Sequence, residues 1–235
     1  VTPTQLSKLS NTLVVSCQAE PGLPLDAPTH IEALARSAVI GGASGLRIQG
    51  VANIRAVRAA TDLPLIGLLK VDRPGTDVYI TPTVADVEAV IEAGADIIAF
   101  DATDRVRPDT VATLCKTVKH AGRLSMADIS TAAEGVAAME AGTDIVSTTM
   151  SGYTPHSRKL LGPDFELMRE LAVAGVPFAA EGRIWTGEEA RHAFELGARF
   201  VVVGSAITRP DMITRRFIDE ALRNPSRMFE GHAAE

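Results

Sequence analysis

Two runs near the C-terminal end decide the reading of this chain: PFAAEGRI (177–184) and FVVVGSAI (200–207). Each is a short apolar stretch that breaks into glycine beside a polar residue, and each precedes a helix-like segment. Apolar runs of this kind suit strands of a buried parallel sheet, and a strand running straight into a helix is the unit of an α/β fold. Gly182 and Gly204 let a ligand approach the backbone where a Cβ would stand in the way. The amides that follow, at Arg183 and Ser205, then lie at helix entrances, where partial positive charge suits a phosphate. In a barrel of eight strand–helix units, the loops after strands seven and eight are a common place for such a site. The plainer alternative is that both glycines only make tight turns. Two adjacent units with the same break favour the ligand.

Six earlier segments have the same strand character: TLVVSCQ (12–18), GLRIQG (45–50), LPLIGLLK (63–70), DIIAFDAT (96–103), RLSMADI (123–129) and DIVSTTM (144–150). Helical patterns run from Thr29 to about Ile40 and over 51–61, 83–94, 107–122, 130–142, 186–197 and 210–222. A glycine followed by a small residue precedes a strand at Gly42-Ala43, Gly94-Ala95, Gly142-Thr143 and Gly197-Ala198. The interval of about 50 residues matches two strand–helix units, each helix closed by a left-handed glycine. The expectation is a single (β/α)8 TIM barrel of the phosphate-binding type over 1–235, with 225–235 as a loose tail. An open doubly wound sheet is the alternative, but no GxGxxG follows the first strand.

Composition narrows the function. Of 235 residues, 46% are hydrophobic and only 4% aromatic, so the core must be aliphatic. A formal charge of −6 without a Lys/Arg cluster argues against nucleic acid. No apolar run approaches membrane-spanning length, and the N-terminal stretch lacks a signal-peptide pattern, so the expected location is the cytoplasm. Two cysteines, Cys17 and Cys115, make neither a disulfide framework nor a zinc site; Cys17 reads as a buried small hydrophobe. No cluster has metal-ligand spacing, so no required metal is expected.

In a barrel, polar residues at the C-terminal ends of strands share one mouth whatever their separation in sequence. Those ends are Gln18, Arg47, Lys70, Asp101, Asp128, Ser151 with Tyr153, Glu181 with Arg183, and Ser205. Lys70 follows IGLL without a polar break, and desolvation there would lower its pKa toward the range of a general base or Schiff-base nucleophile. The alternative is a surface lysine snorkelling from the rim. Glu181 would orient Lys70 or move a proton itself, unless it only pairs with Arg183. Asp128 would hold substrate hydroxyls, or cap the helix near Ser130. Arg47 would stabilise an oxyanion, or pair with a carboxylate. For Asp101, turn capping and ion pairing stand level with substrate contact. His156 is expected to be exposed.

The stretches SCQAEPGLPLD (16–26), GGASGLRIQG (41–50), LPLIGLLK (63–70), YITPT (79–83), ADIIAFDATDR (95–105), DIVSTTMSGYT (144–154), AAEGRI (179–184) and VVVGSAITRP (201–210) carry a resemblance. In that order they resemble the N-acetylmannosamine-6-phosphate 2-epimerases, enzymes of sialic acid breakdown. The resemblance implies a TIM barrel acting on a phosphorylated amino sugar without a cofactor, and a homodimer. It places the catalytic lysine at Lys70 and its supporting glutamate at Glu181. It places substrate contacts at Gln18, Arg47 and Asp128, and the phosphate at Gly182-Arg183 and Gly204-Ser205 with Arg209 nearby. Tyr153, Arg183 and Arg209 are taken as further substrate-binding candidates at the mouth. Two stretches depart from the pattern: Val71-Asp72-Arg73-Pro74 after the lysine, and MADIST where ADCST is common. Another phosphosugar isomerase, a Schiff-base aldolase and a non-catalytic sugar-phosphate sensor are the competing readings.

Overall fold

The computed structural model describes residues 4–222. Eight parallel strands close on themselves in sequence order. They are β1 (Leu13–Cys17), β2 (Gly45–Gln49), β3 (Leu65–Leu68), β4 (Ile97–Asp101), β5 (Leu124–Asp128), β6 (Ile145–Ser147), β7 (Phe178–Glu181) and β8 (Val201–Val203). The seam joins β1 to β8, with Leu13 beside Val201 and Val15 beside Val203. This is the expected (β/α)8 barrel.

Side chains alternate across each strand, and the alternation sorts two apolar layers. Val14, Ile66, Leu68, Ile97, Ala99, Met126, Ile145, Ala179, Phe200 and Val202 fill the barrel interior. The intervening residues, among them Val15, Leu46, Ile48, Ile98, Phe100, Ala127, Phe178 and Val201, pack outward against the helices. The outer shell is α2 (Pro28–Ile40), α3 (Val51–Ala60), α4 (Val84–Glu92), α5 (Val111–His120), α6 (Ala132–Glu140), α7 (Phe165–Val173) and α8 (Gly187–Glu195). A short α9 (Ser205–Thr208) and α10 (Pro210–Leu222) follow the last strand.

Glycine closure of helices is as expected and more frequent. Gly42, Gly94, Gly142 and Gly197 all have φ near +100°. After each, the next amide reaches back five residues, as from Ala43 to Ala38 O and from Ala198 to Ala193 O. This is the Schellman arrangement. Gly122 and Gly175 close α5 and α7 with the same return bond, so the repeat follows the single strand–helix unit for those helices too.

The structure corrects the sequence reading in several places. A helix α1 (Thr4–Leu9) precedes the barrel and plugs its N-terminal end with Leu9, which is fully buried. Its Cδ2 lies 2.6 Å from where a Cβ on Gly45 would stand, so that strand residue must be small. Six residues are too few to show a helical period. Helix α7 lies outside the helical patterns read from the sequence, although Leu167, Met168 and Leu171 form its buried stripe and Asp164 caps it. The strands stop earlier than expected: 148–150 is a 3-10 turn, 182–184 lies outside β7, and 205–208 is helical. β3 to β7 end on a residue of the inward phase, whereas β1 and β8 end on Cys17 and Val203, which pack outward. The tail expected at 225–235 lies outside the described residues. The amphipathic pattern of 210–222 leads to the expectation that Met212, Ile213, Phe217 and Leu222 pack on the barrel or on a partner; of these only Ile213 is half-buried. Met212, Phe217 and Leu222 are exposed, while Arg216 of the same helix stacks over Trp185 at 4.9 Å.

Candidate active site

The same alternation that fills the barrel with Val, Ile and Ala brings a polar residue inward at the end of most strands. On β2 the inward residue is Arg47, on β5 Asp128, on β7 Glu181; Lys70 follows β3 in the same phase as Ile66 and Leu68. Arg47 is the largest fully buried side chain and lies at the centre. Its Nη1 and Nη2 donate to Asp128 Oδ1 and Oδ2 at 3.1 and 2.6 Å. Nη1 also donates to Glu181 Oε2 at 2.6 Å. Two parallel bonds between a guanidinium and a carboxylate are the strongest form of this contact. Burial alone would lower the arginine pKa, but the two carboxylates outweigh it and the pKa is raised.

Thr149, in the 3-10 turn after β6, completes the cluster. Its Oγ1 lies 2.9 Å from Asp128 Oδ1, 3.0 Å from Glu181 Oε2 and 2.8 Å from Ser147 Oγ. The backbone of Glu181 is held too, its amide donating to Thr148 Oγ1 and its carbonyl accepting from it. Burial raises the Glu181 pKa and Asp128 adds to that effect, while Arg47, Thr149 and Lys70 oppose it.

Lys70 stands at the mouth and is exposed to solvent, as the rim-lysine alternative expected, while the base of its side chain is crowded by the barrel wall. Its backbone pairs with Ile80 in an antiparallel bridge, and Val71 N donates to Tyr79 O at 2.9 Å, so the loop 71–79 is tied at its base. Among the described residues the ammonium takes no hydrogen bond or ion pair, but it lies within electrostatic reach of Glu20, Arg47, Glu181 and Asp128. Desolvation is the largest influence and lowers its pKa. A lysine that gives up its proton more readily, beside a glutamate that keeps its own, is a pair suited to proton transfer.

The alternatives left open by the sequence resolve individually. Glu181 pairs with Arg47 and not with Arg183. The cap of α6 is Thr131 in a capping box with Glu134, which frees Asp128 from that task. Arg47 does pair with carboxylates. Asp101 both caps and pairs: it accepts from Thr103 N and Oγ1 and bonds to Arg105. His156 is exposed, with Nε2 3.1 Å from Glu134 Oε1. Cys17 is buried, and its thiol pKa is pushed up to about 12. Gln18 donates to Ser16 Oγ at the end of β1.

At the β7–β8 side only Ser205 lies at a helix entrance as expected. Arg183 precedes α8, whose cap is Thr186, so its amide is not at a helix N-terminus, and the two glycines serve different ends. Gly182 has φ +106° and is followed by Arg183 at φ +57°, so this turn requires glycine. Gly204 is not left-handed; a Cβ there would stand 3.3 Å from Ser16 Cβ. Beyond it the Ser205 and Ala206 amides open α9, ahead of the first bonds, from Ile207 and Thr208 to Gly204 O. The Arg183 guanidinium is turned to the Gly162 and Ser151 carbonyls at 2.7 and 2.6 Å, 6.0 Å from the ring of exposed Tyr153. Arg209 bonds to Asp211 and to Glu20.

Four residues of the mouth were not singled out from sequence: Thr149, Ser147, Glu20 and Tyr79. The Tyr79 hydroxyl is 3.7 Å from Met150 Sδ, and burial together with Asp128 and Asp101 pushes its pKa up to about 12.

Comparison with known proteins agrees with this architecture. The family described as "Putative N-acetylmannosamine-6-phosphate epimerase" matches residues 31–223. A protein of Caldanaerobacter subterraneus subsp. tengcongensis named "Putative N-acetylmannosamine-6-phosphate 2-epimerase" is 50% identical over 218 residues, 91% of this chain and 92% of its own. A protein of the same name from Clostridioides difficile is 45% identical, over 91% of this chain and 97% of its own. The solved structure of the N-acetylmannosamine-6-phosphate 2-epimerase from Clostridium perfringens superposes with a TM-score of 0.90 at 44% identity, covering 92% of this chain and 95% of that one. A Thermotoga maritima FabK mutant, at 21% identity and a TM-score of 0.59, shares the fold alone. This chain belongs to the N-acetylmannosamine-6-phosphate 2-epimerase family.

Proposed function

We propose that the protein interconverts N-acetylmannosamine 6-phosphate and N-acetylglucosamine 6-phosphate by removing the C2 proton and returning it to the opposite face. The observation that carries this reading is the joined cluster Arg47–Asp128–Glu181 beside Lys70, whose proton affinity is lowered. The C2 proton lies next to the aldehyde carbon and is weakly acidic. A base therefore needs help from groups that stabilise the developing enolate.

In this reading Lys70 takes the proton and delivers it back, with Glu181 setting its position and charge. Arg47 and Asp128 contact the sugar, with Gln18 and Tyr153 at the rim. The phosphate lies against the Gly182–Arg183 and Gly204–Ser205 backbone, with the Arg183 and Arg209 side chains bordering it. Anchoring that far end supplies orienting energy to the reacting carbon. The chain works without a cofactor, in the cytoplasm, as a homodimer in amino-sugar breakdown. No helix of the described residues is long and apolar enough to cross a membrane.

Proton NMR of N-acetylmannosamine 6-phosphate in heavy water tests the reaction: the gluco epimer should appear with loss of the C2 proton signal. Lys70→Ala should abolish that exchange, a fall of about 10²- to 10⁴-fold, while phosphosugar binding persists. Full activity in that variant would remove Lys70 from the mechanism. A lysine of lowered pKa also suits a Schiff-base aldolase; a stable adduct trapped by borohydride with substrate would favour that second reading.

A further inference from the structure

Counting protons at Thr149 leads beyond the assignments above. A threonine hydroxyl has one hydrogen to give and two lone pairs to receive. Thr149 Oγ1 lies 2.9 Å from Asp128 Oδ1 and 3.0 Å from Glu181 Oε2, both acceptors when ionised. It cannot donate to both. Ser147 Oγ, 2.8 Å away, is able to fill one lone pair. Asp128 is held as a carboxylate by two parallel bonds from Arg47. Glu181 has a single bond from the same guanidinium, to Oε2, and a longer contact from Ser147 Oγ to that oxygen at 3.4 Å, weaker than the one Thr149 can make at 3.0 Å. Its Oε1 has no protein partner among the described residues, and 13% of the side chain is accessible.

We propose that Thr149 is a positioning residue that decides the charge of Glu181 by giving its one hydroxyl proton either to Glu181 or to Asp128. With the hydroxyl turned to Glu181, Oε2 accepts from both Arg47 and Thr149 and the group is held ionised. With the hydroxyl turned to Asp128, Oγ1 offers a lone pair to Oε2. That contact is a hydrogen bond only when Glu181 itself carries a proton. The proton that Glu181 gains or loses in the free protein comes from and returns to solvent, and no other bond changes. One hydroxyl rotation thus offsets a full change of charge without moving a heavy atom, which keeps reorganisation small. The charged groups facing Glu181 are Arg47 from β2, Lys70 after β3 and Asp128 from β5. The adjoining β8 presents only Val202 and Gly204 in the same phase. Because Glu181 acts in turn on Lys70, Thr149 tunes the base at one remove.

The inference rests on Lys70 and Glu181 being the acid–base groups of the reaction, so its test has one readout that does not need activity. The carboxyl carbon of Glu181 is titrated by ¹³C NMR in the free protein, assigned by its loss in Glu181→Gln. The pH profile of kcat/KM for the phosphosugar is measured beside it. Thr149→Val keeps the branched shape but removes a charge-assisted bond to ionised Glu181 and only a weaker, neutral one to the protonated group, so the ionised form loses more. The substitution should move both the Glu181 titration and the acid limb of the profile upward by about one pH unit. Thr149→Ser should restore both. Should the valine protein fail to fold, Thr149→Ala provides the same comparison. A Glu181 titration unchanged by loss of the hydroxyl overturns the proposal. A shifted titration in a protein that does not epimerise the phosphosugar supports the role of Thr149 and overturns the preceding functional reading instead.

Discussion

Asp101 and Asp128 are register partners on neighbouring strands, both fully buried, both inward and both bonded to arginine. Their partners differ in origin. Asp101 is satisfied within its own loop, by Thr103 and by Arg105 four residues on, while Arg107 donates to its carbonyl and to that of Thr103. Asp128 is satisfied from across the barrel, by Arg47 81 residues away and by Thr149, and Arg47 extends to Glu181 134 residues away. A carboxylate closed by its own loop shapes that loop. A carboxylate closed by distant strands joins several loop bases into one site, and leaves Glu181 Oε1 and the Lys70 ammonium without protein partners among the described residues. Sequence distance between partners, more than burial or charge, separates the scaffold from the candidate site.

Three substitutions would break or sharpen that contrast. The largest effect is expected from Arg47→Met. It leaves two carboxylates facing each other in a buried place, and losing one member of a buried pair costs about 3–5 kcal/mol. Denaturant unfolding should show that loss, with activity abolished; a near-neutral result would mean the cluster is far better solvated than its burial implies. Asp101→Asn should cost about 1–3 kcal/mol, because Arg105 and Arg107 are each partly accessible and can turn to water. Turnover in that variant should stay close to wild type, and a collapse of kcat at unchanged KM would move Asp101 into the reaction.

Glu181→Gln should show the smallest change in stability and a large one in activity. The native carboxyl has its pKa raised, so between the unfolded value of about 4.3 and the higher folded value the native state holds more protons. Wild-type stability therefore falls as pH rises through that window, whereas the glutamine variant lacks this fall. Thermal melts from pH 4 to 7 should show the variant gaining on the wild type. The opposite trend would mean that pairing with Arg47 dominates over burial.

Much of the candidate site is readable in the sequence. Lys70, Asp101, Asp128 and Glu181 each end an apolar run and Arg47 stands inside one, and a period of two places all five in the phase that fills the interior. What could not be read was the pairing. Nothing in sequence says that Arg47 joins Asp128 and Glu181 while Asp101 turns to Arg105. Thr149 gives no local signal either, standing in STTM among four residues of similar small or apolar character. Its place follows from β6 ending at Ser147 and the chain tightening into a 3-10 turn.

The chain by itself determined the strand–helix alternation, the glycine stops and the apolar phase of each strand, because these depend on residues within a few positions of one another. It thereby determined which side chains reach the mouth. Only the closed barrel decided which of them touch, how one arginine is divided between two carboxylates, and why the Lys70 and Glu181 proton affinities are shifted. Those properties depend on distance through space and on exclusion of water, which arise only when β1 meets β8 and strands far apart in sequence surround a common centre.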